Sequence, residues 1–595
     1  MTSTTPSEKL ASLRALLTQR GLDGWYAGRE DMFQGEEVPA REERLAFISG
    51  FTGSAGFGLI LPNDAALFSD GRYTLQMANQ SDPDLWQTFT LPEAGLGGFL
   101  DGAHASGTRI GIDPRLVTVR GFERLQETCL KAGAELVADA DNPIDALWHD
   151  ERPGTAPSRP FRMPDRVAGQ SMADKLAALS KNLEAARCDA VVISRADAVN
   201  WLVNIRGTDL SNTPINLLFA LYHRENGLIL LGDRDSLAPV MEGDLANEVA
   251  IVPLAQFADL IDPRAGYADA VRVIFDPDSL PQQLHAPLVK AAIEPVAAPC
   301  PVTAMKALKN AAELDGTRRA HSEDGAVMVR FLAWLDSGAA RGLRETEIAE
   351  YLLTLRRASP RFMASSFETI CGSGPNGAIV HYRAIAGLDS VLVEDSLLLV
   401  DSGAHYNDGT TDITRTMAIG TPTSEMITAF TAVLRGHIAV ATARFPAGTT
   451  GQQIDALARA PMWAAGLDYA HGTGHGVGHL MQVHEGPASI SKRGTVPLDT
   501  GMLLSNEPGC YRPGEWGIRT ETLITATAPD EDGFMGFETI TLCPIDRRLI
   551  DADRLLPAER EWLNAYHMRV EAALAPHLAG ETDCLAWLKA ACAPI

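Results

Sequence analysis

The sequence predicts a protein of mixed α/β and α+β class, in which two related α/β domains in tandem precede a larger third domain. Three observations lead to this prediction. A helix-then-strand pattern occurs twice at a constant spacing, a linker separates the two copies, and long helical patterns followed by hairpins fill the remainder. At 595 residues the chain is also too long for one hydrophobic core. We place the domains at 1–152, 153–303 and 304–595.

The two N-terminal domains are predicted from an internal repeat. Lys9 and the leucines after it at helical spacing are matched by Lys175 and its leucines, and Asp23 is matched by Asp189; both pairs are 166 residues apart. In each copy the apolar spacing is that of an amphipathic helix leading into a strand. The stretch 151–164 is rich in proline and arginine, as linkers are. Neither copy carries a set of metal ligands, so we expect structural or substrate-gating domains.

The third domain begins near Val302. Helical patterns run from there through Leu355, strand runs with turn signals follow, and the end of the chain returns to helical spacing. This order of helices, hairpins and helices is that of an α+β domain.

The first hairpin of interest carries two aspartates. An apolar run reaches Asp401, the turn signal Asn407-Asp408-Gly409 follows, and an alternating run carries Asp412. Because both are equidistant from a point between Tyr406 and Asn407, a symmetric hairpin would place them opposite each other at roughly 4.5–5.5 Å. Like charges so placed destabilise a hairpin unless a cation lies between them.

A second hairpin repeats this arrangement with glutamates. Glu507 and Glu521 are equidistant from Gly514, which lies in a turn signal, and each adjoins an apolar strand run. Between the two hairpins, the segment that holds His471 and His475 is too rich in glycine for a stable helix. In an extended segment these two histidines would share a face.

Together these positions predict a metal site. The candidate ligands are Asp401, Asp412, His475, Glu507 and Glu521. Four carboxylates and one imidazole suit two hard or borderline divalent ions roughly 3.5–4 Å apart, and the excess of carboxylates favours Mn²⁺ over Zn²⁺. Solvated loop carboxylates are the alternative, and the position of the set beside apolar strands argues against it.

Composition excludes some functions. A formal net charge of −25, from 51 basic and 76 acidic residues, argues against nucleic acid and anionic membranes as partners. The eight cysteines are scattered without C-x-x-C spacing, which favours reduced thiols. With no apolar run of membrane-spanning length and no signal-peptide pattern at the N-terminus, we expect a cytoplasmic protein.

Several multi-residue motifs carry a family resemblance. They are the segments 371–382, 408–416, 471–478 and 483–487, with shorter matches at 68–73, 544–550 and 562–567. In this order they resemble the pita-bread metallopeptidases, whose ligands run Asp, Asp, His, Glu, Glu. Among these the chain is similar to the three-domain, cytosolic-type aminopeptidase P (Xaa-Pro aminopeptidase) family. The resemblance implies two creatinase-like N-terminal domains, a C-terminal pita-bread catalytic domain with helices outside a curved sheet, and a homodimer.

The resemblance also implies a reaction. A water or hydroxide that bridges two metal ions would attack the first peptide bond of substrates with proline in the second position. Asp401 and Asp412 would chelate one ion, His475 and Glu521 would complete the pair, and Glu507 would bridge. Glu507 is also the candidate acceptor of the proton from the attacking water, although one carboxylate does not freely serve both roles.

Further roles are carried over onto matching positions. His381 and His484 match residues that line the proline-side pocket and contact the tetrahedral intermediate, and His471 is expected to shape the same pocket. Arg72 matches an arginine that reaches a substrate site across a dimer, with an ordinary surface arginine as the alternative. From strand parity alone, Arg519 is expected to orient the acidic ligands. His479 is interpreted as structural.

Other functions stay open. Prolidase shares the five ligands but cleaves only dipeptides, and the tandem N-terminal domains and the motifs around His381 and His484 favour aminopeptidase P. Methionine aminopeptidase is typically shorter and lacks both upstream domains. A peptide-binding relative without catalysis is the alternative from another class. The intact ligand set argues against the relatives that carry no metal.

Overall fold

A computed structural model describes residues 5–92, 95–103, 105–261, 272–290 and 293–595. It divides into two compact units, one of residues 1–165 and 170–304 and the other of residues 166–169 and 305–595. The boundaries predicted inside the first unit stay a prediction. In the part of the chain so described, no helix has the length and apolar character needed to cross a membrane. All eight cysteines are free thiols.

The first unit opens with a six-stranded mixed sheet. Its helices are α1 Pro6–Gln19, α2 Arg44–Ser49, α3 Thr74–Gln80, α4 Leu96–Gly102, α5 Val119–Lys131 and α6 Pro143–Trp148. Its strands are β1 Gly24–Gly28, β2 Phe57–Ile60, β3 Ala65–Asp70, β4 Gln87–Leu91, β5 Arg109–Ile112 and β6 Glu135–Ala138. The strand order is β4-β3-β2-β1-β5-β6, and only the β1–β2 and β2–β3 pairs are antiparallel.

A second sheet follows in the same unit. Its helices are α8 Met172–Ala185, α9 Ala196–Leu202, α10 Arg234–Leu237, α11 Gly243–Glu248, α12 Phe257–Leu260 and α13 Gln282–Lys290, whereas α7 Asp165–Ala168 belongs, after its first residue, to the other unit. The strands of this sheet are β8 Ala190–Ile193, β10 Phe219–His223, β11 Gly227–Leu231, β12 Val249–Val252, β13 Arg272–Phe275 and β14 Glu294–Ala297, while β7 Phe161–Arg162 and β9 Ile205–Arg206 pair with each other. The order β12-β11-β10-β8-β13-β14 has the same directions as the first sheet.

The repeat extends to its first lysine. The ammonium of Lys9 donates to the carbonyl of Phe47 at 3.0 Å and lies 3.9 Å from the centre of the Phe47 ring. Lys175 does the same with Trp201, at 2.8 Å and 4.0 Å. A cation over an aromatic ring, with a carbonyl as acceptor, stabilises a lysine that the helix turns inward. The predicted pair of related α/β domains is confirmed.

The second unit has helices outside short antiparallel sheets. Its helices are α14 Pro301–Ala307, α15 Ala311–Asp336, α16 Glu345–Arg357, α17 Ser424–Ala441, α18 Gly451–Ala464, α19 Pro557–Leu574 and α20 Thr582–Ala591. Strands β15 to β22 are Phe362–Ser365, Ile370–Ser373, Ser396–Ser402, Ala404–Tyr406, Gly409–Thr410, Ile413–Ile419, Phe445–Pro446 and Gly474–Gly476. Strands β23 to β29 are Glu485–Ile490, Leu503–Asn506, Gly509–Arg512, Trp516–Arg519, Thr522–Ala526, Phe534–Met535 and Phe537–Thr539.

Strands β17 and β20 illustrate how the core positions charged residues. Leu398, Val400 and Met417 pack into a buried cluster with residues of α15 and α16. Because strand side chains alternate, the opposite face of β17 and β20 carries Asp401 and Thr414. The apolar face therefore fixes which polar residues point away from the helices.

The register of this hairpin corrects the sequence analysis. Asp401 pairs with Thr414, and the two-residue turn is Asn407 and Asp408, because Tyr406 pairs with Gly409. The hairpin is thus centred one residue later than predicted, and the prediction that Asp401 directly faces Asp412 is wrong. Asp412 is instead a diagonal neighbour on the same face, at a typical Cα separation of about 7–8 Å.

The second carboxylate hairpin has the predicted register. Asn506 pairs with Thr522 in the β24–β27 ladder, and Gly509 pairs with Arg519 in the β25–β26 ladder. Both ladders are symmetric about Gly514, so Glu507 and Glu521 lie opposite each other where one ladder gives way to the other. The glycine-rich segment before it is not helical, and only Gly474–Gly476 is a strand, so His471 lies outside it.

Candidate metal centre

The structure brings the five predicted ligand residues together at the ends of strands. Nε2 of His475 lies 3.5 Å from Oδ2 of Asp412 and 3.5 Å from Oε1 of Glu507. One donor atom each of Asp412, His475 and Glu521 lies within 4.8 Å of the other two. Asp401 belongs to the same group, since its charge acts on each of the other three carboxylates.

Burial and mutual repulsion keep these carboxylates from ionising together. Burial raises the pKa of Asp412 well above its ordinary value, and Glu521 and Asp401 raise it further. Burial, followed by Asp401 and Glu507, has the same effect on the pKa of Glu521. The pKa of Glu507 rises to about 8, mainly through burial, although the charge of Arg519 opposes the rise. Full ionisation of the group requires compensating positive charge.

The donor set fits divalent cations. Oδ1 of Asp401 is buried and has no hydrogen-bond partner within the described ranges. A buried acceptor left without a partner is costly, and a cation would satisfy it. Four carboxylates and one imidazole are also the oxygen-rich set that hard or borderline divalent ions prefer. These residues would therefore hold metal ions.

Arg519 binds the carboxylate of Asp401 directly and is linked to that of Glu521 through Thr414. It is buried, and it donates to Oδ2 of Asp401 at 2.6 Å. Its Nε donates to the hydroxyl of Thr414 at 3.1 Å, and that hydroxyl donates to Oε2 of Glu521 at 2.6 Å. A further N–H donates to the hydroxyl of Tyr511 at 2.7 Å. Partners of this kind orient metal-binding side chains, and this role for Arg519 stays a prediction.

Three imidazoles lie side by side at the centre. The ring of His484 meets the ring of His475 edge-on, with 4.2 Å between centroids. The ring of His381 is nearly parallel to that of His484, with 6.5 Å between centroids and 14° between planes. His471 lies apart from this row: its ring nitrogens bond to the carbonyl of Gly472 at 2.7 Å and to the hydroxyl of Tyr511 at 2.8 Å.

Two other predicted residues have local partners. Arg72 belongs to the first unit, where its guanidinium donates to the carboxylate of Asp70 at 2.9 and 2.8 Å. Its proposed reach to a substrate stays a prediction. His479 is buried, and its Nε2 bonds to the carbonyl of Asp408 at 2.9 Å, which agrees with its interpretation as structural.

A buried ionic cluster next to His484 was missed by the sequence analysis. The ammonium of Lys306 lies 2.7 Å from Oε2 of Glu485, and the ammonium of Lys309 binds Oε1. All three side chains are at most 2% exposed. The signal was available, because two lysines three residues apart in an apolar stretch need a carboxylate if they are buried.

Four segments of the chain match models of known protein families. Residues 315–528 match the model of metallopeptidase family M24, and residues 533–595 match the C-terminal region of peptidase M24. Residues 9–147 and 151–313 each match a creatinase/prolidase N-terminal domain. A probable Xaa-Pro aminopeptidase P of Laccaria bicolor is 37% identical over 613 residues, which cover 99% of this chain and 94% of that protein. The chain belongs to metallopeptidase family M24.

Other relatives of this M24 chain match it over its whole length. A probable Xaa-Pro aminopeptidase P of Coprinopsis cinerea is 36% identical and covers 99% of this chain and 98% of its own. The crystal structure of X-prolyl aminopeptidase from Caenorhabditis elegans, described as a cytosolic enzyme with a di-nuclear active site, superposes with a TM-score of 0.92. Its identity is 32%, over 99% of this chain and 100% of that one. The M24 chain is thus a metallo-aminopeptidase with a pita-bread catalytic domain, and these findings support two divalent ions at its centre.

Proposed function

We propose that this chain is an Xaa-Pro aminopeptidase, which releases the first residue from peptides whose second residue is proline. The observation that carries the proposal is the meeting of five donor side chains with a row of three imidazoles at one centre. The donor side chains would hold metal ions that activate water for hydrolysis, and the imidazole rings offer flat walls for a rigid proline ring. Relatives named for this activity over their whole length support the same function.

The five donors would hold two divalent ions. Asp401 and Asp412 would bind one ion, His475 and Glu521 would bind the other, and Glu507 would bind both. The ions, which we propose are Mn²⁺ because carboxylates outnumber the imidazole, would supply the Lewis acidity that activates water and polarises the scissile carbonyl near neutral pH.

Glu507 is the proposed acceptor of the proton from the attacking water. Its Oε1 accepts from the hydroxyl of Ser505 at 3.3 Å, and its backbone N–H donates to the carbonyl of Thr473 at 2.7 Å. These two contacts fix the carboxylate between the strand that ends at Asn506 and the glycine-rich segment. A general base must be held within hydrogen-bond reach of the proton that it takes.

His484 and His381 would act on the other side of the scissile bond. An imidazole can donate to a developing oxyanion or to a departing nitrogen, and His484 is the ring beside the donor set. The X–Pro bond has no N–H and a restricted φ, so an enzyme must recognise its ring by shape. The nearly parallel planes of His381 and His484 offer flat walls for that ring. His471, bound to Tyr511, is proposed to shape the pocket from the side of Arg519.

A matched peptide series tests the proposed function. The Mn²⁺-loaded protein is given Arg-Pro-Pro, Arg-Ala-Pro and Arg-Pro, and release of free arginine is followed. We expect Arg-Pro-Pro to exceed Arg-Ala-Pro in kcat/KM by at least about tenfold, because alanine would fill the pocket poorly and lie misoriented. Equal rates on the two tripeptides would end the proline-specific proposal. Cleavage of the dipeptide alone would make the chain a prolidase.

A further inference from the structure

The segment 374–395, between β16 and β17, carries His381 and is fastened to the first residue of α16. That residue, Glu345, is fully buried. Its carboxylate accepts from the N–H of Ser373 at 2.7 Å, the side-chain amide of Asn376 at 3.0 Å, the hydroxyl of Tyr382 at 2.7 Å and the N–H of Ser390 at 2.9 Å. In return, the N–H of Glu345 donates to the carbonyl of Ser390 at 3.0 Å. One buried carboxylate therefore anchors the beginning, the middle and the end of this segment to α16.

His381 lies between two fixed neighbours. On one side, the carbonyl of Val380 accepts from the guanidinium of Arg519 at 3.3 Å. On the other side, the hydroxyl of Tyr382 is bound to Glu345. Residues 380–382 lie in no helix or strand, and a turn hydrogen bond runs from the N–H of Tyr382 to the carbonyl of Ile379 at 3.0 Å. The two side-chain contacts add to this turn, one on each side of His381.

The contact with Tyr382 is strong. Hydrogen bonds to an ionised acceptor are shorter and roughly twice as strong as neutral ones. Burial, followed by this hydrogen bond and the charge of Glu345, raises the pKa of Tyr382, so its hydroxyl stays protonated and can donate near neutral pH.

We propose that Glu345, acting through Tyr382, is a positioning residue that sets the orientation of the His381 imidazole and thereby the preference for proline. The inference rests on the proposed function, because it assigns His381 to one wall of the proline pocket. Neither Glu345 nor Tyr382 touches the substrate in this account. Loosening the contact should tilt that wall relative to His484, and small misplacements of this kind cost large factors in rate.

Tyr382→Phe is the variant that removes the contact. It removes one hydroxyl, which also accepts from the side-chain amide of Asn376 at 3.0 Å, and leaves the other three groups that donate to Glu345, so the segment stays anchored. The matched control is Thr346→Val, which removes a hydroxyl that donates at 2.6 Å to Asp389 of the same segment, seven residues after Tyr382. Both variants are compared with wild type on Arg-Pro-Pro and Arg-Ala-Pro, with metal content and melting temperature measured alongside.

The expected result is a loss of specificity without a loss of metal. Tyr382→Phe should lower the ratio of kcat/KM for the proline peptide to that for the alanine peptide by about tenfold, while Thr346→Val keeps the wild-type ratio. Both should hold as many ions as wild type. In a double-mutant cycle, Tyr382→Phe should change the ratio no further once His381 is already replaced by alanine, because its effect passes through His381.

The outcomes separate this inference from the proposed function. If wild type prefers proline but Tyr382→Phe keeps the full preference, the inference is overturned and the proposed function stands. An undiminished loss in the His381→Ala background, or an equal loss in Thr346→Val, would also overturn it, since the effect would then be a general loosening of the segment. If wild type shows no preference for proline, the proposed function fails and the inference fails with it.

Discussion

Replacing Thr414 by valine should weaken metal binding while the fold is retained. The hydroxyl of Thr414 accepts from Nε of Arg519 at 3.1 Å and donates to Oε2 of Glu521 at 2.6 Å. The hydroxyl of Thr414 therefore links the guanidinium of Arg519 to the carboxylate of Glu521. Valine keeps the branched shape at a fully buried position but makes neither hydrogen bond.

The magnitude follows from those two contacts. A buried donor that loses its partner costs about 1–3 kcal/mol, and here Arg519 would lose one acceptor for its Nε. Glu521 would lose the donor that fixes one of its oxygens. The loss of a partner that orients a metal ligand typically lowers metal affinity by about 10–100-fold. We expect an effect of that size on Mn²⁺ affinity for Thr414→Val.

Titration of metal-free protein with Mn²⁺ by calorimetry measures this effect directly. Thr414→Ser is the matched control, because it keeps the hydroxyl and should bind Mn²⁺ nearly as tightly as wild type. The melting temperature of each metal-free variant shows whether the fold itself has changed. Wild-type affinity in Thr414→Val, with the fold intact, would refute the reasoning. Equal losses in the serine and valine variants would show that packing, and not the hydroxyl, matters at this position.

Three further predictions concern single residues. Asp412→Ala should contain fewer ions per chain than wild type by metal analysis, and retention of two tightly held ions with full activity would remove Asp412 from the ligand set. His484→Ala should lower kcat by about 10²–10³-fold at unchanged metal content, as loss of an oxyanion donor does, and wild-type turnover would contradict this role. Burial lowers the pKa of His567 to about 4, and its Nε2 accepts from the N–H of Ile545. Because its folded pKa lies below the unfolded value of about 6.5, stability should fall by up to about 3 kcal/mol as the pH drops from about 6.5 to 4. When the free energy of unfolding is measured in urea at several pH values across that range, it should depend less steeply on pH for His567→Gln than for wild type. An equally steep dependence on pH would exclude His567 as the source of the effect.

The carboxylate hairpins show how far sequence reasoning reaches. The register around Gly514 was predictable because its turn signal is compact and the apolar runs on both sides are regular. The register around Asn407 was missed by one residue, because its turn signal spans three residues and the two-residue turn is Asn407 and Asp408, which makes Tyr406 the partner of Gly409. The ladder of β17 and β20 keeps the same register beyond Gly403, so the position of the turn alone decides which residue faces Asp401.

Long-range partners were beyond prediction for a different reason. Glu345 precedes Tyr382 by thirty-seven residues, and Lys309 precedes Glu485 by 176. Nothing in local periodicity says which buried carboxylate will meet which donor, because that depends on how the helices pack against the sheets. Sequence patterns predicted a ligand set and, from strand parity, the place of Arg519, whereas the contacts of Glu345 with Tyr382 and of Lys306 with Glu485 became visible only in the fold.

The carboxylates of the candidate metal centre and the two pocket histidines are held in place by different contacts, and this difference has a consequence for catalysis. Asp401 and Glu521 adjoin strand ladders and share Arg519 as an anchor, so changes there should first alter metal binding. His381 and His484 lie outside helices and strands, and each is followed directly by a residue bound in a buried charged cluster, through Tyr382 or Glu485. A segment without a ladder can be displaced without unfolding the sheet beside it. Disturbing these clusters should therefore change turnover and substrate preference while the metal ions stay bound.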